Sequence, residues 1–198
     1  TIVTGFGPIY NPANPVIKLP ALQSLYATAK DALRKVTDTN QEFNKATNIR
    51  LVAFDRLRPI STTIVSALIA SGATKETIDD AKGFHRKIHG RRALTAKVVP
   101  VDPDLPAPVS ISASQQSYDQ LIEHLAGMVA VVKLVPMYAP NEPELSVVGL
   151  SDLLTELENK NQAVVDTHEA VTTARIARNK ILYAENTGLV DIAGLVKK

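Results

Sequence analysis

His85 and His89 stand four residues apart, a spacing that on a helix puts both imidazoles on one face and suits zinc. Two ligands do not make a metal site, and no Glu follows the first His as in His-Glu-x-x-His. His85 also falls on an apolar stripe, so a partly buried or surface pair is expected, with metal as the alternative. A second cluster, Asp166-Thr167-His168-Glu169, places ionisable groups at successive positions. Neighbours one and two apart on a helix point different ways, so these do not form a catalytic dyad. Gly5-Phe6-Gly7 lacks the spacing of a dinucleotide or phosphate loop, and no nucleophile elbow, Walker sequence or EF-hand loop occurs. No catalytic or cofactor-binding residue is assigned.

The strongest charged feature is the stretch from Lys82 to Lys97. It holds Lys82, Arg86, Lys87, Arg91, Arg92 and Lys97 and no acid. Such a run suits an anion or nucleic acid, but Phe84 is its one aromatic, where single-strand binders interleave several. Residues 142–169 carry the opposite bias, seven acids and one base. The net charge of +2 therefore conceals a cancellation. Residues 1–99 hold 15 Lys+Arg and 7 Asp+Glu, whereas residues 100–198 hold 7 and 13. A solvated face is the plain reading of both stretches; pairing between them, within or between copies, and nucleic-acid binding are the alternatives.

The elements that would position these residues come from an internal repeat. A shift of 128 residues aligns Pro8-Ile9-Tyr10-Asn11-Pro12 with Pro136-Met137-Tyr138-Ala139-Pro140, and Pro15 with Pro143. The register runs on without a gap, giving 12 identities in the 61 pairs from Pro8 to Leu68. Each repeat reads as a Pro-rich extended arm followed by a long helix. The helices are expected to begin near Pro20 and Ser146. One seam runs Leu22, Leu25, Ala29, Ala32/Leu33, Val36, Phe43, Ala46, Arg50, Ala53/Phe54, Leu57. The other runs Leu150, Leu153, Leu157, Val164, Val171, Ala174, Arg178, Ile181/Leu182. The alternation of three and four is that of a coiled-coil seam, and about 36 residues would span about 54 Å.

Arg58-Pro59 is expected to stop the first long helix and Asn186-Thr187-Gly188 the second. Short helices follow at 60–71 and 189–197. Gly72 closes the former, and Thr74 caps a further helix to about His89, with Ile78, Ala81, His85 and Ile88 inward. A Pro-rich linker, 93–111, has β-branched residues compatible with a short β-hairpin. The next helix is expected from Ser112, where Ser112 and Gln115 fit a capping box, to Leu134. Asp38-Thr39-Asn40 and Asp166-Thr167-His168 fall at matching heights on the long helices, so a polar layer that sets register is expected. Tyr10 and Tyr138 are expected to anchor the arms, with a polyproline-type partner ligand as the alternative. The second repeat has no room for a third helix, which is expected of a fragment or of a longer natural protein.

The segments Arg178-Asn179-Lys180-Ile181-Leu182-Tyr183 and Asn186-Thr187-Gly188-Leu189-Val190-Asp191-Ile192-Ala193 resemble a family of uncharacterised bacterial proteins, and Ser71-Gly72-Ala73-Thr74 is similar to it too. The resemblance implies helical content and a bacterial source. It implies no activity.

Composition narrows the classes further. With 45% hydrophobic and 21% charged residues the chain can bury a core. It has no cysteine, which removes disulfides, thiolate metal sites and a Cys nucleophile. No stretch reaches membrane-span length, and Lys133 interrupts the most apolar run. No secretory signal is visible; the start at Thr1 leaves a removed leader open, and the cytoplasm is the expected compartment. The expected fold is all-α, a helix bundle from an internal duplication with two long helices. Its expected parts are repeat one over 1–92, the linker over 93–111 and a truncated repeat two within 112–198, together one compact domain. The expected function is a non-enzymatic structural or protein-interaction protein, self-association included. A nucleic-acid-binding protein using Lys82–Lys97 is the alternative, and a ligand or metal binder in the bundle core the third.

Overall fold

The computed structural model describes residues 5, 7–91 and 115–197. Helices α1 (Leu19–Asp55), α2 (Leu57–Ala70), α3 (Lys75–Ile88), α4 (Tyr118–Lys133), α5 (Val147–Tyr183) and α6 (Leu189–Val196) follow one another, with 3₁₀ turns at Gly7–Ile9, Pro15–Ile17 and Pro143–Leu145. The described residues contain no strand, so the fold is all-α. The 93–111 linker with its expected hairpin, and Ser112 with its expected cap, lie outside the described residues.

Both long helices are 37 residues long and begin and end at positions 128 apart. Pro20 sits in the first turn of α1, where its missing N–H costs nothing. Ser146 caps α5 by accepting the Gly149 N–H at 3.0 Å. The first break comes at Arg56, slightly earlier than the Arg58-Pro59 expected. Pro59 explains the offset. A proline clashes with the carbonyl four residues back, which is that of Asp55, the last residue of α1. Pro59 itself is then free to occupy the first turn of α2. Gly72 (φ +69) closes α2 in a Schellman arrangement, with Ala73 N–H bonded to Leu68 O and Gly72 N–H to Ile69 O. Gly90 (φ +69) closes α3 the same way, Arg91 N–H to Arg86 O and Gly90 N–H to Lys87 O.

Helix α4 starts six residues later than expected. Gln115 and Gln116 are not helical, and Ser117 is the cap, accepting the Gln120 N–H at 3.2 Å. The Gln116 amide instead donates to Lys87 O at the end of α3, which holds the chain out of helix before Ser117.

The arms are not simply extended. Each folds into a 3₁₀ turn ahead of its long helix, started by proline at Pro15 and Pro143. A tyrosine hydroxyl clamps each turn: Tyr10 donates to Ile17 O at 2.6 Å and Tyr138 to Leu145 O at 2.9 Å. These bonds, too, are 128 residues apart. Tyr138 is buried and Tyr10 half-buried. Tyr138→Phe should therefore cost about 1–2 kcal/mol, since it strands a buried carbonyl, and Tyr10→Phe clearly less. Native-state hydrogen exchange, read in each variant's own unit, checks this.

The chain divides into two compact units, Thr1–Thr47 with Ala163–Lys198 and Asn48–Gln162, each holding a stretch of both long helices. In the first unit, Asn40 meets Arg175 and Phe43 meets His168. In the second, Arg50 meets Asn161 and Arg56 meets Glu156. The partners step in opposite directions, so the long helices run antiparallel within each unit. The short helix after one long helix packs on the 3₁₀ turn of the other arm: α6 on Pro15–Ile17 in the first unit, α2 on Pro143–Leu145 in the second. The second unit also contains α3 and α4, packed on each other and on α2. It holds one core that includes Phe54, Leu57, Ile64, Leu68, Ile88, Met128, Leu150 and Leu157. Residues this deeply buried contribute roughly 1.5–3 kcal/mol each by leaving water. The first unit buries smaller side chains, among them Ala29, Val36, Val164, Val171 and Ala174, with Ile192 from α6.

Candidate functional site

The two expected histidines do meet. Their rings lie 4.3 Å apart, where α3 passes α2. Both turn a nitrogen toward Ser61, a fully buried residue: His85 Nδ1 at 3.2 Å and His89 Nε2 at 3.4 Å from its Oγ. The Ser61 hydroxyl donates to Arg58 O at 2.7 Å, so its oxygen accepts from the ring N–H groups. His89 Nε2 also lies 3.3 Å from Arg58 O. The cluster thus converges on a single carbonyl, Arg58 O, and the serine proton is already committed. Among the described residues no group of three or more His, Asp or Glu is placed to hold a metal. Sequence reading placed the two histidines on one face, but Ser61 carried no signal that it would lie beneath them.

Burial, then the neighbouring His89 and Arg91, hold the His85 pKa below its usual 6.5. His124 on α4 is buried, and burial with Lys87 lowers it too, against weaker opposition from Glu123 and Gln115. Its Nε2 has no hydrogen-bond partner among the described residues. A lowered folded pKa means the unfolded chain takes up protons first. The stability these residues contribute is complete above pH 6.5 and is lost as pH falls through the depressed folded values. The second unit should therefore lose stability between pH 7 and 5, and His124→Asn should flatten that slope. Opening free energies of α4 amides from native-state hydrogen exchange across that range are the check, and an unchanged slope in the variant would refute it.

The basic stretch lies on the last two turns of α3 and just beyond. Lys82, Arg86, Lys87 and Arg91 are exposed. Lys82 pairs weakly with Asp79 at 3.7 Å, and the Lys87 ammonium lies 5.6 Å over the Phe84 ring. Cations at a helix C-terminus also favour the helix dipole, a structural reason for part of this bias. Phe84 is not available for stacking on a base, because its ring packs closely on Gly127 of α4. Arg92 and Lys97 lie outside the described residues.

The expected polar layer forms in the first unit. Thr39 and Thr167 line one shallow recess of about 380 Å³ with Lys35, Asp38, Gln41, Glu42 and Ala170. Each threonine hydroxyl turns back on its own helix, Thr39 to Lys35 O and Val36 O, Thr167 to Ala163 O and Val164 O. Asn40 bonds Val36 O at 2.9 Å and accepts from Arg175 at 3.3 Å. The His168 ring tilts against Phe43 at 5.6 Å. The threonine bonds stay within their own helices, and the contacts that cross between the helices here are the Asn40–Arg175 bond and the Phe43–His168 ring pair.

One polar network was not foreseen. Arg50 sits on the seam of α1, donates to Asn161 Oδ1 at 2.9 Å and stacks on the Tyr118 ring at 3.9 Å. Asn161 in turn donates to Asp119 at 2.6 Å. The signal was the charged residue at a seam position between Ala46 and Ala53; its partners on α4 and α5 were not legible.

Among the described residues, no helix is long and apolar enough to cross a membrane. No family model, curated protein or solved structure matches this chain, in keeping with a resemblance that carries no activity.

Proposed function

We propose that the chain is a duplicated helical scaffold that works by protein–protein interaction, self-association included, rather than by catalysis. The duplication is supported by the recurrence at 128 residues of helix bounds, tyrosine clamps, 3₁₀ turns and threonine bonds. The observation that carries the interaction reading lies on α5 in the first unit. Val165, Ile176 and Tyr183 are 54%, 64% and 65% exposed. At 100° per residue they fall on one stripe, well away from the seam of Val164, Val171 and Ala174. Three exposed apolar residues on one helix face, with exposed Glu169 and Thr172 between them, are anchors that another helix can cover. Sedimentation over a concentration series tests this: the chain should associate, and Ile176→Glu should return it to a monomer. A strict monomer at every concentration would sink self-association.

The second reading, nucleic-acid binding, draws on the exposed Lys82, Arg86, Lys87 and Arg91. It requires retardation of DNA or RNA that weakens steeply with salt and with Arg86→Glu. No binding at low salt would end it.

A further inference from the structure

The two units are built to the same plan, but the first lacks counterparts of α3 and α4 among its described residues. The consequence shows position by position. In the second unit Leu150, Leu153, Phe54 and Leu68 are buried, and Leu154 packs on the core. Their counterparts 128 residues away are Leu22, Leu25, Leu182, Val196 and Tyr26. The first four are half-buried, and Tyr26 is 57% exposed. The residues remain apolar in both units, while the cover differs. In the second unit α4 lays Tyr118 on Phe54, with the rings 4.7 Å apart and edge to face. It also ties itself to both long helices through Arg50 and Asn161. Helix α3 closes over α2 through the Ser61–His85–His89 cluster.

We propose that the half-open face of the first unit, formed by Leu22, Leu25, Tyr26, Leu182 and Val196, docks a pair of amphipathic helices of the α3–α4 type carried by a partner protein. This rests on the duplication reading. The second unit specifies the chemistry of the occupant. One helix brings an apolar stripe spaced three to four apart, as in Ile78, Ala81, Phe84 and Ile88. The other brings an aromatic near its start, as Tyr118 is, to cover Leu182 as Tyr118 covers Phe54. On α5 the face's Leu182 lies about 100° round the helix from the line of Val165, Ile176 and Tyr183, so Tyr26→Asp and Ile176→Glu probe different sides.

The probe is a synthetic helical hairpin joining the sequences 75–90 and 117–134 through a Gly/Ser loop, added to the 198-residue chain. Amide hydrogen exchange is read at residues 22–29 and 189–196. Saturable slowing there, on the order of tenfold, is the expected result. Leu25→Glu should abolish it, and Tyr26→Asp, at an exposed position that leaves the fold intact, should do the same. Unchanged exchange at millimolar hairpin overturns the proposal, as does slowing confined to residues 48–162, where the hairpin would only be replacing α3 and α4. Slow exchange in the chain alone, lost together with a dimer in Tyr26→Asp, would show that a second copy covers the face and would overturn it too. A chain that is monomeric yet binds the hairpin supports the proposal while removing self-association, so the two readings fail separately.

Discussion

Leu150→Ala should destabilise the second unit by about 2–5 kcal/mol, whereas Leu22→Ala, at the position 128 residues earlier, should cost about 1 kcal/mol. The two leucines occupy equivalent positions early in helices of equal length. Leu150 is fully buried inside a continuous core, so its truncation leaves a cavity whose walls belong to several helices. Leu22 is half-buried, and water can occupy the space it vacates. Because two units need not unfold together, a single midpoint would mix them. Native-state hydrogen exchange separates them: amides of α5 near residue 150 should lose protection in the first variant, and those of α1 near residue 22 only slightly in the second. Equal losses would mean that the first unit's face is covered in solution.

Gly188→Ala should release α6. A Cβ at Gly188 would lie 2.6 Å from Ala184 N, 2.7 Å from Ala184 O and 2.8 Å from Leu182 O. All three are backbone atoms, so no side-chain rotation relieves the clash. The Gly188 N–H also bonds Ala184 O at 2.7 Å, a contact the displaced chain would lose. Together these should cost about 3 kcal/mol. Helix α6 has only eight residues and does not stand without its packing on the Pro15–Ile17 turn. The expected result is loss of amide protection and rapid proteolysis over residues 184–196, with α1 and α5 retained. Gly194→Ala is the control, since nothing lies within 4 Å of its added methyl. That change should be neutral or mildly stabilising, because alanine is the better helix former. Intact protection of α6 in Gly188→Ala would refute the argument.

Much of the architecture was legible because its signals are short-range. Seam spacing marked both long helices, and Pro59 marked the first break within a few residues. Thr74 accepts the Thr77 N–H as a cap, as expected. One seam position resolved against its alternative: Leu33 is 48% exposed, and Ala32 takes the inward place. A seam of alternating threes and fours leaves that choice to the supercoil. The start of α4 was misplaced because serines crowd residues 110–117, and the tertiary bond from Gln116 to Lys87 O selects Ser117.

The candidate sites were legible only in outline. His85 and His89 were bound to share a face, but Ser61 and Arg58 O beneath them come from another helix. Arg50 stood out on its seam, yet Tyr118 and Asn161 lie far along the chain. By itself the sequence determined the all-α class, the long helices with their caps and breaks, and the recurrence at 128 residues. Those depend on φ preferences, missing N–H groups and side chains three or four residues apart. Tertiary structure alone decided that matched residues such as Leu22 and Leu150 differ in burial. Burial is set by what packs over a residue, and in one unit that is α3 and α4, whereas in the other the same apolar face stands half-open.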